Sequence, residues 1–195
     1  MALTLSKQQT ISLEKTAGHQ LTLLKLGLGW DPAEAGFLGK LLRSNQDIDL
    51  DASCILFDEY LTPVDLVWFR QLRSAEGAVV HSGDNRTGAG EGDDESIHID
   101  LQRLPAAVKH LVFTVNSFTG QTFERVENAY CRILDADRNR ELARFKLSEK
   151  GQHTGVVMAG LTREPSGWVF KALGNVTRGR TADDLVTLAA QAVRG

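Results

Sequence analysis

Apolar and polar residues alternate with a period of two along most of the chain, and glycine interrupts the pattern repeatedly. Ile11-Ser12-Leu13 and Leu21-Thr22-Leu23 open it, and Ile48, Leu50, Ala52, Cys54 and Leu56 would line one side of a third strand. Val64 to Leu72, Ile97 to Leu101 and Leu111 to Val115 follow. Ala129 to Leu134 and Leu142 to Leu147 flank the turn-like Asp135-Ala136-Asp137-Arg138-Asn139. Val156 to Thr162 and Trp168 to Leu173 flank Glu164-Pro165-Ser166-Gly167, which reads as a hairpin turn. Many short strands at this spacing predict an all-β, mainly antiparallel sandwich rather than a parallel α/β sheet. Residues 1–195 read as a single domain without internal repeats.

Two segments depart from the alternation. Asp31 to Asn45 contains Phe37-Leu38-Gly39-Lys40-Leu41-Leu42 and predicts an inserted surface loop over about residues 32–46, with a helical turn. Thr181-Ala182-Asp183-Asp184 has the form of a capping box with Asp in place of Glu. Leu185, Leu188, Ala189 and Ala192 then recur at helical spacing, so a short C-terminal helix should pack on the sheet.

Composition narrows the class. With 42% hydrophobic and 24% charged residues, the chain can bury a real core. A net charge of −3, scattered Lys and Arg and no interleaved aromatics argue against a nucleic-acid partner. No stretch reaches the roughly 18 apolar residues of a membrane span. The N-terminal Met1-Ala2-Leu3-Thr4-Leu5-Ser6-Lys7 lacks the basic and apolar regions of a secretory signal, so the expected location is cytoplasmic. Cys54 and Cys131 fit that compartment as buried, reduced thiols.

The densest chemistry lies in residues 83–95, Gly83-Asp84-Asn85-Arg86-Thr87-Gly88-Ala89-Gly90-Glu91-Gly92-Asp93-Asp94-Glu95, where four glycines and five acids meet one arginine. Two readings are open for it. It is a solvated acidic turn, as most charge runs are, or a site where a cation relieves the repulsion. Oxygen donors on a flexible scaffold suit Ca²⁺. A second acidic element, Asp47-Ile48-Asp49-Leu50-Asp51, would place three carboxylates roughly 7 Å apart on one strand face. Two such clusters favour a shared cation.

Stricter motifs fail. An EF-hand begun at Asp47 would have Ala52 in place of its glycine and Asp58 in place of its glutamate. The Gly-rich β-roll nonapeptide occurs once, and Gly88-x-Gly90-x-Gly92 lacks dinucleotide-loop spacing. His19, His81, His98, His110 and His153 show no zinc spacing, and His98 should sit on the outer face of a strand. No Gly-x-Ser-x-Gly elbow occurs. A polar stretch from Phe118 to Tyr130 offers Glu127 and Asn128 as further oxygens just before a strand.

Gly27-Leu28-Gly29-Trp30-Asp31, Asp49-Leu50-Asp51-Ala52-Ser53, Gly83-Asp84-Asn85-Arg86-Thr87-Gly88 and Gly92-Asp93-Asp94-Glu95 occur in this order. Val112-Phe113-Thr114-Val115-Asn116, Val126-Glu127-Asn128-Ala129 and Glu141-Leu142-Ala143-Arg144 continue the series. Together they resemble the TerD family of tellurium-resistance and stress-response proteins over nearly the whole chain. Cys54, Trp68-Phe69-Arg70-Gln71-Leu72, Asn116-Ser117-Phe118-Thr119-Gly120 and Arg178-Gly179-Arg180-Thr181 resemble its TerZ-type branch.

The resemblance implies a β-sandwich that holds two Ca²⁺ ions in adjacent sites at one end. It implies ligands from Asp49, Asp51, Asp84, Asn85, Thr87, Asp93, Asp94 and Glu95, with Gly92 acting through its carbonyl and Asn128 and Asp31 as further candidates. It also implies a part in bacterial tellurite and stress resistance, beside other tellurium-resistance proteins and at the inner face of the membrane. The leading expectation is a non-enzymatic, Ca²⁺-dependent binding or scaffolding module. The competing one is a metal-dependent enzyme acting on a phosphorylated small molecule, helped by Arg86, Arg125 or His81. Direct tellurite capture by thiols is a third, and it needs Cys54 or Cys131 to be reactive.

Overall fold

The computed structural model describes residues 2–32, 49–83, 92–148 and 150–194. Among these residues, twelve strands form two six-stranded sheets. The first contains, side by side, Leu3–Leu5 (β1), Arg140–Lys146 (β10), Val126–Asp135 (β9), Leu23–Pro32 (β3), Glu95–Asp100 (β7) and Val79–His81 (β6). The second contains Thr10–Ser12 (β2), Gly167–Thr177 (β12), Gly155–Glu164 (β11), His110–Asn116 (β8), Asp51–Phe57 (β4) and Pro63–Val67 (β5). Every pairing is antiparallel except that of β1 with β10. The expected all-β sandwich is what the chain forms.

Between the sheets lies the main core. Leu24, Leu26, Leu28 and Trp30 of β3 meet Ala52, Cys54 and Leu56 of β4 and Leu111, Phe113 and Val115 of β8 there. A second core covers the outer face of the second sheet, where Ile55, Phe57, Val112, Val157 and Leu173 meet Leu185, Ala189 and Ala192 of the helix Ala182–Arg194 (α2). Strand β4 is therefore buried on both faces, and all seven of its residues are inaccessible. Burying one side chain such as Leu185 is worth about 2 kcal/mol.

The capping box at α2 forms as expected. Asp184 Oδ2 accepts from Thr181 N at 3.0 Å and from Arg180 N at 3.0 Å, and Asp184 N donates to Thr181 Oγ1 at 3.4 Å. The Val156–Thr162 and Trp168–Leu173 hairpin also forms, with Glu164 opposite Gly167 and a positive φ of 121° at Gly167.

Other boundaries move. The expected strand at Ile11-Ser12-Leu13 ends at Ser12, whose Oγ caps a one-turn helix, Leu13–Ala17 (α1), closed by Gly18 at φ 79°. Leu21-Thr22-Leu23 is the approach to β3, which starts only at Leu23. The expected Val64–Leu72 strand stops at Val67, because Trp68 and Gln71 exchange backbone hydrogen bonds of 3.0 and 2.9 Å and turn the chain. Of the Asp47-Asp49-Asp51 face, only Asp51 lies in β4 and Asp49 precedes it. Asp47, Ile48 and residues 33–46 of the expected insertion lie outside the described residues.

Candidate metal centre

The corner where β3 ends and β7, β4 and β9 begin is built on two glycines. Along β3, Leu26, Leu28 and Trp30 point into the core, so Gly27 and Gly29 face outward. A Cβ on Gly27 would overlap the Asp93 carboxylate, and one on Gly29 would lie 2.5 Å from the Tyr130 ring. The glycines thus let both side chains lie directly on the sheet. The segment Gly92–Asp94 is held there by Asp94 N donating to Leu28 O at 2.8 Å, and by Tyr130 OH donating to Gly92 O at 2.7 Å.

Asp93 is clasped by cations of the protein itself. Arg132 Nε and Nη2 donate to its two oxygens at 2.7 and 3.0 Å, and Lys25 Nζ stands 3.1 Å from Oδ2. Burial pushes its carboxyl up, but the hydrogen bonds and charges of Arg132 and Lys25 outweigh that and hold it below the usual carboxylate range. Arg132 Nη1 also reaches Glu141 Oε2 at 3.0 Å, Arg144 grips both oxygens of Glu141 at 2.9 Å, and Arg144 stacks 4.4 Å over Tyr130.

Glu95 does different work. It is 1% exposed, and its Oε2 accepts from Ala52 N at 2.7 Å, tying the first sheet to the second. His81 Nε2 stands 3.3 Å from the same oxygen and 3.2 Å from Ala52 O. Because His81 Nδ1 accepts from Gly83 N at 3.0 Å, the proton of the neutral ring is on Nε2. Both side chains are closed to solvent. Asp51, 4% exposed, heads β4 opposite Asn116 of β8.

Asp94 and its neighbours form the open part of the corner. Trp30, Asp31, Gly92, Asp94, Asn128 and Tyr130 line a cleft of about 320 Å³, into which Arg144 and Lys146 also reach. Asn128 sits at φ 52°, where the pairing of β3 with β9 slips between Gly29 and Asp31. Its Nδ2 donates to Asp31 Oδ2 at 2.8 Å. Asp94 Oδ2 accepts from Trp30 N at 2.8 Å. Burial raises the Asp94 carboxyl above its ordinary value, and the charges of Asp31, Glu95 and Asp93 add to the rise against the Trp30 hydrogen bond.

Of the residues expected as ligands, the structure thus gathers Asp31, Gly92, Asp94 and Asn128 around one cleft. It commits Asp93 to Arg132 and Lys25, and Glu95 to the sheet interface. Asp84, Asn85 and Thr87 lie outside the described residues. Among the described residues no three His, Cys, Asp or Glu side chains stand together as a metal-binding group. Any cation here would draw on carbonyl and amide oxygens as well as carboxylates. That donor chemistry, oxygen without nitrogen or sulfur, fits a hard cation. Lys25, Tyr130, Arg132 and Glu141 were not among the expected site residues, although Lys25 and Arg132 stand two residues from Gly27 and Tyr130 on the same strand faces.

The corner belongs to a fold with known counterparts. A sequence model described as the TerD domain matches residues 1–191. The chain belongs to the TerD family. The tellurium resistance protein TerZ of Serratia marcescens is 54% identical over 182 residues, 93% of each chain. Stress response protein SCP2 of Bacillus subtilis (strain 168) is 37% identical and covers 96% of this chain and 98% of its own. In structure, a homologue of telluride resistance protein (TerD) from Streptomyces coelicolor A3(2) superposes with a TM-score of 0.68 at 23% identity, over 85% of this chain and 95% of that one. The expected TerD resemblance, with its likeness to TerZ, holds over most of the chain.

Cys54 and Cys131 are free, buried thiols within this TerD-family core. Burial raises both, Cys131 to about 12 and Cys54 well above its usual value with a further push from Asp65. Thiol capture of tellurite finds no support in that setting. Among the described residues, no helix is long and apolar enough to cross a membrane.

Proposed function

We propose that the chain is a non-catalytic, Ca²⁺-dependent binding module of a bacterial tellurite-resistance or stress-response system. The observation that carries the reading is the Asp94 cleft. Asp94, Asp31, the Asn128 amide and the Gly92 carbonyl offer oxygen donors there, and a bound cation would oppose the rise that burial imposes on the Asp94 carboxyl. Asp49 and Asp51 at the head of β4, with Asp84, Asn85 and Thr87, are proposed to complete the shells of two ions. Asp93 would act through Arg132 and Lys25 rather than as a carboxylate ligand. A bound Ca²⁺ would neutralise the corner.

Two features support a binding role over catalysis. His81 and Glu95 are spent on joining the sheets, and the raised, buried thiols are poor nucleophiles. Location in the cytoplasm, with other tellurium-resistance proteins at the inner face of the membrane, belongs to the same proposal. The test is thermal unfolding with Ca²⁺ and with chelator. Ligand binding to the folded state alone adds about 2.7 kcal/mol at a hundredfold excess over Kd. The wild-type melting temperature should rise with Ca²⁺, and Asp94→Asn should reduce the rise. Identical wild-type curves in Ca²⁺ and chelator would refute the proposal.

A further inference from the structure

Three sequence segments that the metal corner leaves unused meet on one surface. Phe69 packs edge-on against Phe118 at 5.9 Å, and Trp68 against Phe69 at 5.0 Å. The Arg70 guanidinium lies 5.3 to 5.5 Å from the centres of all three rings. Arg180 Nη2 donates to Phe118 O at 3.1 Å, and Asn116 Nδ2 donates to Arg180 O at 2.8 Å. The Arg180 side chain passes so close to Gly120 that a Cβ there would lie 3.4 Å from Nε. Trp68–Leu72, Asn116–Gly120 and Arg178–Thr181 are therefore parts of one assembly.

Its recess is a cleft of about 510 Å³ lined by Thr119, Thr122, Gln152, Thr154, Arg178 and Arg180, with the Gly120 backbone. That volume is of small-ligand size. Among the described residues, no carboxylate lines it. Asp184, beside it in sequence, is turned to the N–H groups of Arg180 and Thr181. Thr154 is used locally, donating to Gly179 O at 2.8 Å. The side chains of Arg178, Thr122 and Gln152 make no hydrogen bond or ion pair among the described residues.

Two guanidinium groups, threonine hydroxyls and an amide form a donor-rich lining, and its natural complement is a small anion with several acceptor oxygens. We infer that this cleft binds the phosphate groups of a small phosphorylated molecule. Arg178 supplies the free charge, and Arg180, braced by Phe118 and Gly120, supplies the positioned one. The site is separate from the Asp94 cleft and requires no metal.

The test is a calorimetric titration of chelator-treated protein with inorganic pyrophosphate and with ATP at low ionic strength, in metal-free buffer. The wild type should bind at least one of them with one-to-one stoichiometry. Arg178→Gln should weaken that binding roughly tenfold or more, as loss of a charged hydrogen-bond donor does. Its melting curve should match the wild type, since Arg178 holds no other group. No binding of either probe, or binding that Arg178→Gln leaves intact, would overturn the inference. Binding to phosphatidylglycerol vesicles with none to pyrophosphate or ATP would overturn it in favour of a membrane surface.

Discussion

Asp93 was expected as a metal ligand, yet its contacts are those of a clasp, and the two roles separate in Asp93→Asn. The substitution keeps the shape of the side chain and removes its charge. Of the two hydrogen bonds from Arg132 at 2.7 and 3.0 Å, one is lost and the other is no longer made to an anion, and the ion pair with Lys25 at 3.1 Å goes. The Asn NH₂ then faces a cation. Hydrogen bonds to charged groups are worth about 1.5–3 kcal/mol each. Two factors reduce the sum: Arg132 and Lys25 are 23% and 29% exposed, and Arg132 keeps Glu141 as a partner. A net loss of about 2 kcal/mol remains, which for a chain of this size lowers the melting temperature by about 4–8 °C.

The assay is calorimetric unfolding at neutral pH, in chelator and in Ca²⁺. The clasp predicts the same loss in both, with the Ca²⁺-dependent rise intact. Its pH dependence follows from the lowered Asp93 carboxyl. A depressed folded-state value means that the stabilisation is fully present above the ordinary aspartate value of about 3.9 and fades as pH falls through the folded one. The gap between wild type and variant should therefore close toward acid. If Asp93→Asn is as stable as wild type in chelator and loses only the Ca²⁺ response, Asp93 is a ligand and the reasoning here is wrong.

Gly29→Ala should destabilise by about 1–3 kcal/mol, because overlap with the Tyr130 ring outweighs the smaller gain from removing a strand glycine; thermal unfolding in a Tyr130→Ala background should show the penalty gone. Asp184→Ala should cost about 1 kcal/mol through loss of the hydrogen bonds that its carboxylate accepts from Arg180 N and Thr181 N at the start of α2, read as a melting temperature lower by about 2–4 °C. Cys54 and Cys131 should react with a thiol reagent only as fast as the protein unfolds, with both labelled promptly in denaturant; rapid labelling of either in the native protein would contradict their burial and raised values.

The sandwich was legible because strand periodicity is local. Leu50, Ala52, Cys54 and Leu56 read as one face of a strand and all enter the main core. The second core was half legible: Leu185, Ala189 and Ala192 announced a helix, but nothing local marked Ile55 and Phe57 as its partners across more than a hundred residues. The strand expected through Leu13 failed because the Ser12 hydroxyl offers the backbone a helical cap. At the corner, acid-rich composition pointed to the right place without dividing the labour. Asp93, Asp94 and Glu95 are consecutive, yet one is clasped, one faces a cleft and one joins the sheets. Partners from β3, β9 and β4 decide among them, and tertiary pairing alone brings those partners near.

The account stands most directly on a calcium titration by calorimetry of wild type, Asp94→Asn and Asp93→Asn. It predicts binding of two ions by the wild type, loss or strong weakening of at least one in Asp94→Asn, and retained binding in Asp93→Asn. Absence of binding by the folded wild type, or an Asp94→Asn isotherm that superposes on it, would contradict the claim that this corner is a calcium site.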